Sequence, residues 1–180
     1  MLPPVPIQIA AFAYAILSRL AYVLFIGISL KREQREPSEF HRFRRVAAVV
    51  MNNDAVAFIL LCLLTRNTLA LPISTTASVI TGAALVVVGL GTKLWAARTL
   101  GSDAYYWHNF FDPAHARGPV ATGPYRYVSN PMYTIGYLQT FGFALITRSL
   151  PGMIAAGFAQ AAIITFYRLV EKPHFEQLHR

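Results

Sequence analysis

NPMYTIGYLQTFGFALITRSLPGMIAAGFAQAAIITFYRLVEKPH, residues 130–174, decides the fold of this chain. It holds two apolar runs, about 131–147 and 150–170, parted by little more than Arg148-Ser149. So short a link makes two helices run back beside each other, and a tight antiparallel hairpin is expected. At a rise of about 1.5 Å per residue the first run is short for a hydrocarbon core of about 30 Å. Pro131 suits the first turn of that helix, where a missing N–H costs nothing, and Asn130 suits its N-cap. The hairpin returns Glu171 to the level of Asn130 and Tyr133.

Outward from this stretch lie three more apolar runs, about 7–30, 46–64 and 73–97, making five expected spans. The chain has 180 residues, 55% hydrophobic and 13% charged. A soluble domain usually carries about 25% charge. The expectation is therefore an all-α, polytopic membrane protein forming a single membrane domain over 1–180. The first run has no small-residue cleavage site after a short apolar core, so it reads as a retained helix. Cys62 is the sole cysteine, which excludes a disulfide within the chain.

The basic residues orient the spans. Lys31, Arg32, Arg35, Arg42, Arg44 and Arg45 lie between spans one and two. Lys93, Arg98, Arg117 and Arg126 flank or occupy the loop 98–130, and Arg168, Lys172 and Arg180 follow span five. The other connections hold only Arg66 and Arg148. This asymmetry puts the N-terminus outside and the loop 98–130 and tail 171–180 in the cytoplasm. The net charge of +8 then reads as positive-inside bias and contact with anionic head groups, not nucleic-acid binding.

Polar residues inside spans need partners in hydrocarbon. Asp54 is placed to pair with Arg19, either as a structural pair or lining a head-group site. Small residues at four-residue spacing (Gly136, Thr140 and Ala144; Gly152 and Ala156) favour close helix packing, within the chain or in a homodimer.

Chemistry gathers between Lys93 and Tyr133. Tyr105, Tyr106, Trp107, His108, Asp112 and His115 combine an aromatic belt with groups that titrate or hydrogen-bond. No spacing there suits a metal. Gly118-Pro119, Gly123-Pro124 and Asn130-Pro131 make the loop stiff. Glu171 facing a helix N-terminus and tyrosines has the makings of a site for a zwitterion.

GPYRYVSNPMYTIGY at 123–137 and VEKPHFEQL at 170–178, with a helical hairpin between, resemble the integral membrane methyltransferases. These include the phosphatidylethanolamine N-methyltransferases and the isoprenylcysteine carboxyl methyltransferases. Asn130-Pro131-Met132-Tyr133, Glu171-Lys172-Pro173-His174 and Gly89-Leu90-Gly91-Thr92 lean toward the phospholipid branch, and the likeness covers about 85–178. The resemblance implies S-adenosylmethionine as cofactor, with S-adenosylhomocysteine as product, in a cytoplasmic pocket. It carries Gly89, Gly91, Tyr125, Arg126, Asn130, Pro131, Tyr133, Glu171 and His174 over as cofactor positions. Two features depart from the pattern. Lys172 replaces a second glutamate, and the sequence stops at Arg180 before a glycine-tyrosine tail, so one cofactor contact is absent, replaced or cut away.

The implied reaction is methyl transfer to the amine of a membrane phospholipid, phosphatidylethanolamine or its methylated forms. Such an acceptor must first lose a proton, for which Glu171, His174, His108 and Asp112 are candidates. Arg117 and Arg126, with Tyr105, Tyr106 and Trp107, are candidates to hold the lipid. Alternatives are a carboxyl acceptor of the isoprenylcysteine kind or another small lipophile. A sterol-reductase-like enzyme stands further off, and so does a non-enzymatic membrane subunit, which would predict an internal repeat where none is visible.

Overall fold

The computed structural model describes residues 2–31, 36–112, 120 and 122–178. Among them the regular elements are all helical. These are α1 (Val5–Lys31), α2 (Phe40–Leu64), α3 (Thr75–Leu100), the short α4 (Ser102–Tyr105), α5 (Leu138–Ile146), α6 (Leu150–Phe166) and α7 (Lys172–Leu178). A widened π turn, Tyr167–Glu171, joins the last two. Four stretches are long and apolar enough to cross a membrane: Val5–Lys31, Pro37–Leu64, Thr75–Leu100 and Leu150–Glu176. Their outward faces carry Ile28, Val49, Ile80 and Val87, all exposed, as lipid-facing residues are. The chain reads as an integral membrane protein.

The ends of the helices follow local chemistry. Pro37 opens the 3₁₀ turn before α2. Ser74 caps α3 by accepting from the Ala77 N–H at 3.1 Å. Gly101, at φ +87°, ends α3 in a conformation that disfavours a side chain. Ser149 caps α6 by accepting from the Gly152 N–H at 2.8 Å.

Packing divides the helices into two groups. α1 packs with α2 and with α6, while α3 lies along α5, which also meets α6. The α3–α5 crossing is close because it is built on glycine. A Cβ on Gly82 would stand 2.6 Å from the Gly142 carbonyl oxygen, and one on Gly142 would stand 2.5 Å from that of Gly82. Ser78 Oγ donates to the Leu145 carbonyl at 2.9 Å across the same contact. Gly152 makes room for the buried Cys62 where α2 meets α6.

At one end of the bundle, the connections 65–74 and 147–149 are stitched together. Asn67 N–H donates to Thr147 O at 2.9 Å and Leu69 N–H to Arg148 O at 2.8 Å. The Thr65 and Ser149 hydroxyls lie 2.6 Å apart, both buried. Backbone pairing thus fixes this end and leaves the chemistry at the other.

Two elements differ from expectation. The segment expected as helix over 131–147 is a regular α-helix only from Leu138, and its apolar helical part, Ile135–Ile146, is shorter than the four long stretches. Before it, the Pro131 carbonyl accepts from the Gly136 N–H at 2.8 Å, five residues on, and Thr134 leaves helical geometry at φ −102°, ψ −91°. Gly136 lies against the Lys93 stem, where a Cβ would come within 2.7 Å. The second difference is the π turn before Pro173. Proline lacks an N–H and crowds the carbonyl four residues back, and widening the turn accommodates both.

Candidate functional site

Glu171 ends the π turn and is buried. A carboxylate in such a place must be hydrogen-bonded. Tyr133 Oη donates to its Oε1 at 2.6 Å, and Trp107 Nε1–H donates to the same oxygen. The three residues come from distant parts of the chain, and each is fixed by its own local structure.

Tyr133 sits in the irregular turn before α5. Its N–H points at Asn130 Oδ1, 3.4 Å away, and its carbonyl accepts from Gln160 Nε2 on α6 at 3.3 Å. Asn130 thus caps a turn, as expected, although that turn is not the start of a regular helix. Pro131 beside it is fully buried. Trp107 follows α4 in a left-handed conformation, φ +59° and ψ +34°, uncommon for so bulky a residue. This turns its indole inward, edge-on to Phe166 at 5.8 Å and to Phe43 at 6.4 Å. Trp107, a candidate to hold lipid, is buried, with its N–H on Glu171.

Tyr125 lies in the 3₁₀ turn Gly123–Arg126. Its Oη is buried with no hydrogen-bond partner among the described residues. Burial pushes this phenol above the usual tyrosine range, and the neighbouring Glu171 charge adds to the effect. Asn109 Nδ2 is likewise buried without a partner. A buried orphan donor costs about 1–3 kcal/mol, so each of these two calls for a polar partner beyond the described residues.

His174, three residues past Glu171, stacks on Phe110 with ring centroids 3.7 Å apart, and its Nε2 lies 3.4 Å from the Asn109 carbonyl. His108 meets Phe40 edge-on at 4.5 Å. The Asp112 N–H closes the same turn on the His108 carbonyl at 3.1 Å. Tyr105 and Tyr106 are half-buried and pack edge-on at 5.1 Å. Burial pushes the Tyr105 phenol up, with a lesser contribution from Tyr106. Arg126 is exposed. His115 and Arg117 lie outside the described residues.

The two glycines of the Gly89-Leu90-Gly91 element face different surroundings. Gly89 packs on the backbone of Gly136 and Gln139, while a Cβ on Gly91 would meet nothing within 4 Å. Gly89 therefore serves the approach of α3 to α5, and only Gly91 has open space beside it.

A second polar cluster lies next to the first. Arg19 pairs with Asp54 at 2.5 Å and donates to Tyr137 Oη at 3.0 Å. Lys93 Nζ stands 4.9 Å from the centre of the same Tyr137 ring. The Arg19–Asp54 pair matches the charge pattern of spans one and two. The roles of Lys93 and Tyr137 were not foreseen, because Lys93 reads as one more positive-inside residue and Tyr137 as a helix-face neighbour of Tyr133. Among the described residues no three of His, Cys, Asp and Glu gather as a metal site.

Comparison with known proteins adds to this geometry. The family model described as phospholipid methyltransferase matches residues 77–180. A phosphatidylethanolamine N-methyltransferase of Clavispora lusitaniae is 29% identical over 145 residues, 76% of this chain and 17% of that protein. The protein of the same description from Debaryomyces hansenii is 28% identical over 161 residues, 81% of this chain and 18% of its own. That from Schizosaccharomyces pombe is 34% identical over 98 residues, 54% and 11% respectively. The chain spans less than a fifth of the length of these relatives. No solved structure matches it.

Proposed function

The chain belongs to the phospholipid methyltransferase family, and we propose that it transfers methyl groups from S-adenosylmethionine to the amine of a phospholipid head group. The acceptor is phosphatidylethanolamine or its methylated forms, and the reaction takes place at the cytoplasmic face of the membrane. The observation that carries this reading is the buried Glu171 carboxylate, whose Oε1 takes both Tyr133 Oη and Trp107 Nε1. The relatives are named for the same chemistry on phosphatidylethanolamine.

The residues fit the cofactor. It carries an ammonium, a carboxylate and ribose hydroxyls. Glu171, held by two donors on one oxygen, presents the other to the ammonium. The orphan Tyr125 Oη and Asn109 Nδ2 are donors suited to the carboxylate or ribose. Gly91, with open space beside it, is where a bound group approaches α3. When bound, S-adenosylmethionine supplies an electrophilic methyl and departs as S-adenosylhomocysteine.

The chain's own residues then align, dry and deprotonate. Phe43, Phe110, Phe111 and Phe166 pack around the Trp107 side of the site and exclude water. An ammonium has no lone pair, so the acceptor must lose a proton first. Glu171 is committed to the cofactor, which leaves His174, one turn on, as the acceptor of that proton. Its Nε2 faces the Asn109 carbonyl. An imidazole is the side chain whose ordinary proton affinity suits this exchange near neutral pH. Exposed Arg126 meets head groups at the rim. The stretch Ile135–Ile146 crosses with α6 as the fifth span, and the basic loops lie in the cytoplasm.

Lipid mass spectrometry of a host lacking methylated phospholipids tests this. Monomethyl- and dimethyl-phosphatidylethanolamine or phosphatidylcholine are expected with the gene and absent without it. No methylated lipid from well-expressed protein would overturn the reading.

A further inference from the structure

The Arg19–Asp54–Lys93 cluster carries one more positive than negative charge inside the spanning helices. Arg19 and Asp54 are nearly buried, with side-chain exposures of 12% and 8%. Arg19 spends one amino group on Asp54 and the other on Tyr137 Oη. Its Nε–H is buried with no partner among the described residues. Lys93 Nζ lies over the Tyr137 ring and makes no ion pair among the described residues. Arg19 and Asp54 are the charged side chains that act on it. One surplus charge and two unspent donors thus flank one tyrosine. A charge so placed is expensive unless an anion joins it.

The position of the cluster narrows the choice of anion. Tyr137 follows Tyr133, which holds Glu171, by four residues, at the end of the irregular turn that leads into α5. Arg19 and Asp54 belong to α1 and α2, and Lys93 to α3. The cluster therefore stands where Arg19 and Asp54 of the α1–α2 pair meet Tyr137 and Lys93, close to the Glu171 site. A lipid whose tails lie in the membrane has its amine outermost and its phosphate one step deeper. The methyl donor's site at Glu171 and the two cations beside it suit the same order, amine toward Glu171 and phosphate toward Arg19 and Lys93.

We propose that Arg19 Nε and Lys93 Nζ bind the phosphodiester of the acceptor lipid, with Asp54 and Tyr137 holding Arg19 in place. The proposal rests on the methyltransferase reading for the identity of the lipid. One negative charge cancels the surplus, and two oxygens of the phosphodiester take the two unspent donors. The site thereby selects a phosphate-bearing lipid over a neutral one and sets the amine at a fixed distance above it.

The test uses the full chain in a neutral detergent. Four probes are titrated: dihexanoyl phosphatidylethanolamine, dihexanoyl phosphatidylglycerol (a phosphodiester without an amine), dihexanoyl glycerol and inorganic phosphate. S-adenosylhomocysteine is titrated separately. Wild type is expected to bind both phosphodiesters at least tenfold more tightly than dihexanoyl glycerol or free phosphate. Lys93→Met keeps the apolar stem and should weaken both phosphodiesters by about ten- to a hundredfold, the value of a charged hydrogen bond. Lys93→Arg should restore most of the affinity, and neither variant should change S-adenosylhomocysteine binding. Equal binding of dihexanoyl glycerol and phosphatidylglycerol by wild type would overturn the proposal without need of a variant. So would undiminished phosphodiester binding by Lys93→Met. Tighter binding of inorganic phosphate than of either lipid would assign the site to a free anion and overturn the lipid assignment. Failure of the S-adenosylhomocysteine titration alone would strike the methyltransferase reading and leave the anion site standing.

Discussion

Glu171→Gln separates the charge of the site from its shape. Glutamine matches glutamate in volume, and its Oε1 still accepts from Tyr133 Oη and Trp107 Nε1. Only the negative charge is lost. A unit ion pair about 4 Å apart at an effective dielectric of about 20 interacts by about 4 kcal/mol. Desolvation of the ligand's ammonium takes back part of this, which leaves about 1.5–3 kcal/mol, the range for a charged hydrogen bond. The dissociation constant of S-adenosylhomocysteine should therefore rise about ten- to a hundredfold, read by calorimetry on protein in detergent. Stability should move the other way. A buried carboxylate without its ligand bears a desolvation cost that an amide lacks. The ligand-free Gln variant should melt at or above the wild-type temperature. Glu171→Ala should lose both properties, because it strands the Tyr133 hydroxyl and the Trp107 N–H, at about 1–3 kcal/mol each. A Gln variant that binds the nucleoside as tightly as wild type would refute the claim that the charge anchors it.

Tyr125→Phe removes a hydroxyl that has no partner among the described residues. Melting should change by less than about 0.5 kcal/mol, while S-adenosylhomocysteine affinity falls several-fold in the same titration. Gly142→Ala drives a Cβ to within 2.5 Å of the Gly82 carbonyl and should cost about 1–3 kcal/mol in thermal unfolding, whereas Gly91→Ala, which meets nothing, should leave stability unchanged. Asp54→Leu strands Arg19 beside Lys93 and should cost about 3–5 kcal/mol, and adding Arg19→Met should recover most of it. Expression and melting of the single and double variants decide that point.

The helical, membrane-embedded character was legible because apolar runs near spanning length have few other uses. The meeting of Tyr133 with Glu171 was legible for a related reason. Two apolar runs joined at Arg148-Ser149 return Glu171 toward Asn130 and Tyr133 whatever their packing details, and the Tyr133–Glu171 hydrogen bond follows from that path. Three features were not legible. The irregular turn at 131–137 arises from tertiary fit, Gly136 against Lys93, which no local propensity announces. The widened turn at 167–171 answers to Pro173, but a proline equally allows a kink or a helix end, so the sequence does not single it out. Trp107 reads as an interfacial belt residue, and only its left-handed backbone turns it onto Glu171. Gly89 and Gly91 read as one element, yet two residues on a helix point about 200° apart, so the two glycines face different neighbours.

The most direct measurement is methyl transfer by the purified chain itself. The protein is reconstituted into phosphatidylethanolamine vesicles, supplied with methyl-labelled S-adenosylmethionine, and the lipid extract is analysed. Label in N-methylated phosphatidylethanolamine from wild type, and little or none from Glu171→Gln, is the predicted result. Equal labelling by the two proteins, or none from a wild type that binds S-adenosylhomocysteine, would contradict it.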